Sequence, residues 1–144
     1  MQSRSIILGL GAAVLLSACQ SQPEQPVNPT AQQITYSGML PCADCSGIRT
    51  PLTLYRDQFD NPTRFHLREE YMNGSKVATS AIERGDWSQT TRMQDNKQME
   101  VYTINPSDPD SDRQFLRDAV NAVELLDENG NPIESNLNYR LLRK

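Results

Sequence analysis

The sequence predicts an all-β fold, a small antiparallel sheet or barrel, and three observations carry that expectation. Apolar and polar residues alternate in short runs from Ile34 onward. Turn-forming residues interrupt these runs at Asp60-Asn61-Pro62, Asn73-Gly74, Asn105-Pro106, Asp108-Pro109 and Asp127–Pro132. Helical periodicity is absent: the one rival stretch, Gln114–Leu126, places Val120, Val123, Leu125 and Leu126 poorly for a 3.6-residue repeat.

The elements follow in order. Ile34, Tyr36, Gly38 and Leu40 share one face of a first strand. Leu52 and Leu54 alternate with Thr53 and Tyr55 in a second. Phe65, Leu67 and Tyr71 alternate with Arg64, His66, Arg68 and Glu70 in a third, the clearest run in the chain. Further strands are expected at Lys76–Ala81, Gly85–Thr90, Gln98–Asn105, Gln114–Asp118, Ala122–Leu126 and Leu137–Leu142. No internal repeat is present.

The N-terminus has a different character. Arg4 precedes the apolar run Ile6–Leu16, which matches the hydrophobic segment of a signal peptide and is too short for a transmembrane helix of about 20 residues. Leu16-Ser17-Ala18-Cys19 then has the pattern of a lipobox, in which small residues fit the peptidase groove and the cysteine thiol accepts the lipid. Residues 1–18 are therefore expected to be removed, leaving Cys19 as the lipidated first residue. Gln20, in place of Asp, directs such a lipoprotein to the outer membrane by the enteric sorting rule. Residues 19–33 form the lipidated cysteine and a Pro/Gln-rich tether, with too little apolar surface to offset the entropy of ordering. Fully extended, the tether reaches roughly 40 Å at about 3.1 Å per residue. Residues 34–144 remain for one domain, enough to build a core without metal or disulfide support.

The whole chain has 14 Lys+Arg, 18 Asp+Glu and a net charge of −4; losing residues 1–18 removes one base, Arg4, and no acid, giving −5. With no large basic cluster, nucleic acid is not an expected partner.

Beyond Cys19, two cysteines remain, Cys42 and Cys45, in Pro41-Cys42-Ala43-Asp44-Cys45-Ser46-Gly47. Three readings compete. In an oxidising envelope the pair forms a structural disulfide. Reduced, its two soft thiolates suit Cu(I), with Met39 as a third candidate ligand. A closed zinc site needs four ligands, and the chain offers only His66 and carboxylates such as Asp44 beyond the pair. A thiol oxidoreductase would place the motif at a helix N-terminus, whereas Gly47, Pro51 and a strand-like Leu52–Tyr55 follow here.

Gly38-Met39-Leu40-Pro41-Cys42-Ala43-Asp44-Cys45-Ser46-Gly47-Ile48, followed by Leu52-Thr53-Leu54-Tyr55, closely resembles the N-terminal domain of the NlpE family of outer-membrane lipoproteins. The resemblance continues through Gly85-Asp86-Trp87, Leu125-Leu126-Asp127, Gly130–Ile133 and Leu137–Leu141. It implies a twisted, lipocalin-like antiparallel β-barrel. It also implies roles in copper homeostasis and in reporting envelope or surface-contact stress to a Cpx-type sensor kinase, with Cys42 and Cys45 as the metal pair. Longer family members carry a second, OB-like domain; the expectation for this chain concerns the first domain alone.

Other residues favour plain roles. His66, the only histidine, reads as a solvent-facing strand residue, and no nucleophile-elbow motif accompanies it. Asp108–Asp112 lacks the glycine and terminal glutamate of an EF-hand loop and reads as a solvated turn. Trp87 reads as a core aromatic. The chain is therefore expected to be non-enzymatic. A carrier enclosing an apolar ligand, or a structural envelope lipoprotein, are the alternatives; a carrier needs an open apolar cavity, whereas a sensor can be packed solid.

Overall fold

The computed structural model describes residues 32–144. The signal segment, Cys19 and the tether as far as Ala31 lie outside the described residues. Eight strands follow one another: β1 (Gln32–Leu40), β2 (Gly47–Arg56), β3 (Pro62–Asn73), β4 (Lys76–Gln94), β5 (Lys97–Ile104), β6 (Arg113–Ala119), β7 (Ala122–Leu125) and β8 (Arg140–Arg143). Each pairs antiparallel with the next, and β8 returns to β1 through Tyr36↔Arg143 and Ser37↔Leu142, closing the barrel. Closure leaves no sheet edge along the seam, which removes the aggregation hazard of an open antiparallel sheet.

The expected elements appear, with three differences. Gln32 and Gln33, assigned to the tether, are already paired with Arg56 and Tyr55. Ladder hydrogen bonds come from the main chain, so polar side chains do not prevent pairing. The two strands expected at Lys76–Ala81 and Gly85–Thr90 are one 19-residue strand, β4. Gly85 does not break it. It lets β4 pass close to Asn105 and Phe65, where a Cβ would collide with the Asn105 amide oxygen and sit 3.0 Å from the Phe65 ring. The stretch Leu137–Leu142 yields only the short β8, because Leu137–Tyr139 precede it as loop. As expected, no helix forms over Gln114–Leu126; a hairpin of β6 and β7 turns there, with Val120 exposed at its tip.

Inward-facing residues fill the barrel. Tyr36, Leu52, Leu54, Phe65, Leu67, Trp87, Tyr102, Ile104, Phe115, Val123 and Leu141 form one buried cluster. Each large apolar side chain so buried contributes about 1.5–3 kcal/mol, and an eight-stranded barrel is just wide enough for side chains to occupy its interior. A second, smaller cluster of Val101, Leu116 and Leu126 lies on the opposite face of β5 and β6, backed by Met99. The turn after β7 folds beside it. Asp127 accepts hydrogen bonds from the amides of Asn129 and Asn131, and Arg92 donates to the Gly130 carbonyl.

Candidate functional site

The cysteine pair sits in the loop Pro41–Ser46, which joins β1 to β2 beyond their last pair, Leu40↔Ile48. Two contacts fasten this loop to the β3–β4 hairpin. The Ser46 amide donates to the Met72 carbonyl at 2.9 Å, and the Ser46 hydroxyl accepts from the Gly74 amide at 2.7 Å. Gly47 ends the loop at φ +152°, and a Cβ there would meet the Met39 sulfur at 2.7 Å. The glycine is thus required by backbone conformation and by the methionine packed against it.

Cys42 and Cys45 are joined in a disulfide, with their Cα atoms 5.3 Å apart, and both are half-buried. Asp44 is exposed between them, and its Oδ1 lies 3.5 Å from the Cys42 sulfur. The Cys45 sulfur lies 3.4 Å from the Gly47 carbonyl oxygen. After reduction these two oxygens stand ready to accept the thiol hydrogens. The ligand atoms of Cys42, Asp44 and Cys45 lie within 4.8 Å of one another, the one such group of three among the described residues. A disulfide offers no thiolate, so this donor set suits a soft ion only after the bond is reduced.

Met39, the third candidate ligand, lies on β1 just before the loop. It is paired with Arg49 in the ladder, is 45% exposed, and rests its sulfur over Gly47, the residue whose carbonyl touches Cys45. His66 is not brought to the loop; it pairs with Thr53 and Arg84 on the barrel wall. Its expected solvent-facing position is only half realised, since the ring is half-buried and Nε2 is enclosed without a hydrogen-bond partner among the described residues. Asp108 shapes its own turn, accepting from the Ser111 hydroxyl at 2.6 Å and the Asp110 amide at 3.2 Å.

Two polar arrangements escaped sequence reasoning. Glu70 was placed among outward residues, yet it is 8% exposed because Arg49 and Arg68 cover it. The Arg49 hydrogen bond holds the Glu70 carboxyl below its ordinary value, against the opposing effect of burial, with the charges of Arg49 and Arg68 adding to the lowering. Likewise Thr50 is buried, its hydroxyl donating to the Ile48 carbonyl at 2.9 Å. Arg49 and Glu70 share a face because they are direct partners in the β2–β3 ladder, a relation that depends on register.

A closed, eight-stranded, lipocalin-like antiparallel barrel with a filled interior and a Cys-x-x-Cys loop at one end defines the class of this domain. Residues 36–136 match the family described as NlpE N-terminal domain, and the chain belongs to that family. It is 29% identical over 150 aligned residues to Lipoprotein NlpE of Escherichia coli (strain K12), an alignment covering 98% of this chain and 57% of the relative. Among solved structures it is similar to the crystal structure of the Cpx pathway activator NlpE from Escherichia coli, with 30% sequence identity and a TM-score of 0.48, covering 74% of this chain and 48% of that one. The chain thus spans about half the length of the relatives it matches.

Proposed function

We propose that this chain is an envelope lipoprotein, anchored at Cys19 to the outer membrane, whose barrel presents Cys42 and Cys45 as a thiol switch and Cu(I) site for stress signalling. The observation that carries this reading is the position of the pair: a loop outside the packed core, with two sulfurs and a carboxylate converging. Family membership supports extending it to copper homeostasis and to a Cpx-type sensor kinase as partner. A relative is named a lipoprotein, in agreement with the lipobox at Cys19.

The switch has a balanced chemistry. The oxidised pair takes up two electrons and two protons from an envelope dithiol, which itself becomes a disulfide, and the S–S bond is replaced by two thiols. Binding one Cu(I) then releases those protons, because only thiolates coordinate. The protein in this reading binds and reports, and no catalytic step is assigned to it. The filled interior speaks against a carrier of a bulky apolar ligand, since the space such a molecule needs is taken by Tyr36, Phe65 and Phe115.

The test is competition against a Cu(I) chelator on oxidised and reduced protein, with Cys42→Ser/Cys45→Ser as the control. Reduced wild type should bind about one Cu(I), and the oxidised protein and double variant should not. Equal affinity in wild type and double variant removes the metal reading. Met39→Leu should weaken binding only if the thioether is a third ligand.

A further inference from the structure

The cysteine loop occupies one end of the barrel; the other end holds a different kind of site. There β1 begins at Gln32, β2 ends at Arg56, and the turns after β4 and β6 reverse the chain. A cavity of about 190 Å³ opens at this mouth. Its lining is polar, in contrast to the apolar interior: three guanidiniums, Arg56, Arg117 and Arg143, the tyrosines Tyr36 and Tyr102, and the carboxylate of Glu100. With Asp60, three positive groups face two negative ones, an excess of positive charge within a chain that carries −4 overall.

These groups differ in how far they are already engaged. Arg56 is fixed, stacked 4.6 Å over the Trp87 ring and donating to the Asp60 carbonyl at 2.9 Å and to Gln89. Arg117 gives Nη1 to Glu100 at 2.5 Å, and its remaining donors have no partner among the described residues. The Arg143 side chain makes no hydrogen bond or ion pair among the described residues, and it stands beside Tyr36 across the seam of the barrel. Tyr36 itself is 2% exposed, lines the cavity, and its hydroxyl has no hydrogen-bond partner among the described residues. Burial pushes the Tyr102 hydroxyl up to about 12, so it stays protonated at neutral pH, and it already donates to Glu100 Oε2 at 3.4 Å.

We infer that this mouth binds a small tetrahedral oxyanion of the phosphate class, held by Arg143 and the free donors of Arg117, with Tyr36 as hydroxyl donor. A planar carboxylate is saturated by one guanidinium fork, whereas donors arriving from separate strands suit an anion with several oxygens. The anion has two possible sources, free phosphate or the phosphate of a lipid headgroup. The second source rests on the proposed anchor, because the chain from Cys19 enters the barrel at this same mouth.

The experiment uses the chain from residue 19 onward carrying Cys19→Ala, so that neither an acyl chain nor the apolar signal segment drives membrane binding. Inorganic phosphate should produce saturable NMR shifts at Tyr36, Tyr102, Arg117 and Arg143. Tyr36→Phe and Arg143→Gln should each weaken binding about tenfold, the effect of losing a hydrogen bond to a charged group, with the unfolding midpoint retained. Vesicles of phosphatidylcholine with and without phosphatidylglycerol separate the sources. Binding that needs the anionic lipid, and that phosphate displaces, supports the headgroup; phosphate binding with vesicles ignored supports the free ion. No saturable shift with either probe, or equal affinity in wild type and both variants, overturns the inference. Neither substitution touches the cysteine loop, so the result is independent of the copper reading.

Discussion

Trp87 donates its indole N–H to the main-chain carbonyl of Tyr55 at 2.8 Å, reaching from β4 to β2 across the intervening β3. The same carbonyl accepts the Thr63 hydroxyl at 3.0 Å. It lies where the β2–β3 register slips between Leu54 and Arg56, so the ladder does not consume it. Trp87 also packs edge-on against Tyr102, with ring centroids 5.2 Å apart, which places one side chain at the junction of β2, β4 and β5.

Replacing this residue tests that junction. Trp87→Phe should destabilise the barrel by about 1–3 kcal/mol through the lost hydrogen bond and the vacated volume. Combined with Thr63→Val, the loss should exceed the sum of the single effects, because the Tyr55 carbonyl is then left without either side-chain donor. Urea denaturation of the four proteins of this cycle provides the measurement.

Gly47→Ala should destabilise by about 1–3 kcal/mol, since an L-residue there meets both an unfavourable backbone conformation and the Met39 sulfur. Adding Met39→Ala should relieve the steric part and leave the backbone part. Thermal unfolding of the single and double variants separates the two, and an equal cost in both backgrounds would show that Met39 does not contribute.

Glu70 gives the domain an acid-sensitive contact. Its folded carboxyl is held below the ordinary value of 4.5, chiefly by the Arg49 hydrogen bond, so the native state binds fewer protons than the unfolded chain as pH falls through this region. The stabilisation is present in full above the ordinary value and is lost as pH falls through the folded one. Glu70→Gln should therefore be less stable than wild type at neutral pH and decline less steeply on acidification. Parallel slopes of stability against pH in the two proteins would count against this contact.

The disulfide closes a loop of only four residues, for which chain entropy predicts about 2 kcal/mol, the lower end of the usual range. Reduction, or Cys42→Ser/Cys45→Ser, should lower the unfolding free energy by about this amount while leaving a strand-dominated circular dichroism spectrum. A cost this small is compatible with the proposed redox change, which would then leave the barrel folded.

At the N-terminus, mass spectrometry of envelope-isolated protein should find Cys19 as the first residue, carrying acyl mass. Cys19→Ala should retain the signal segment or appear without acyl chains. Mature protein that begins elsewhere and lacks lipid would remove the anchor and, with it, the headgroup source for the barrel-mouth site.

Much of this protein was legible in one dimension. The alternation at Ile34–Leu40, Leu52–Tyr55 and Arg64–Leu67 determined strands and their buried faces, because a period of two leaves each residue only two directions. The cysteine spacing allowed the two sulfurs to meet each other or a common ion, and the structure joins them in a disulfide. Tertiary structure decided what depends on register and closure. Only pairing told that Arg49 covers Glu70, that Gly85 continues β4 instead of ending it, and that His66 is half enclosed by its neighbours. Closure alone brought Arg143, near the end of the chain, beside Tyr36 at its beginning, and so assembled the polar mouth from strands β1, β2, β4, β5, β6 and β8. Local pattern encodes which way a side chain points; only the folded barrel decides which other side chain it meets.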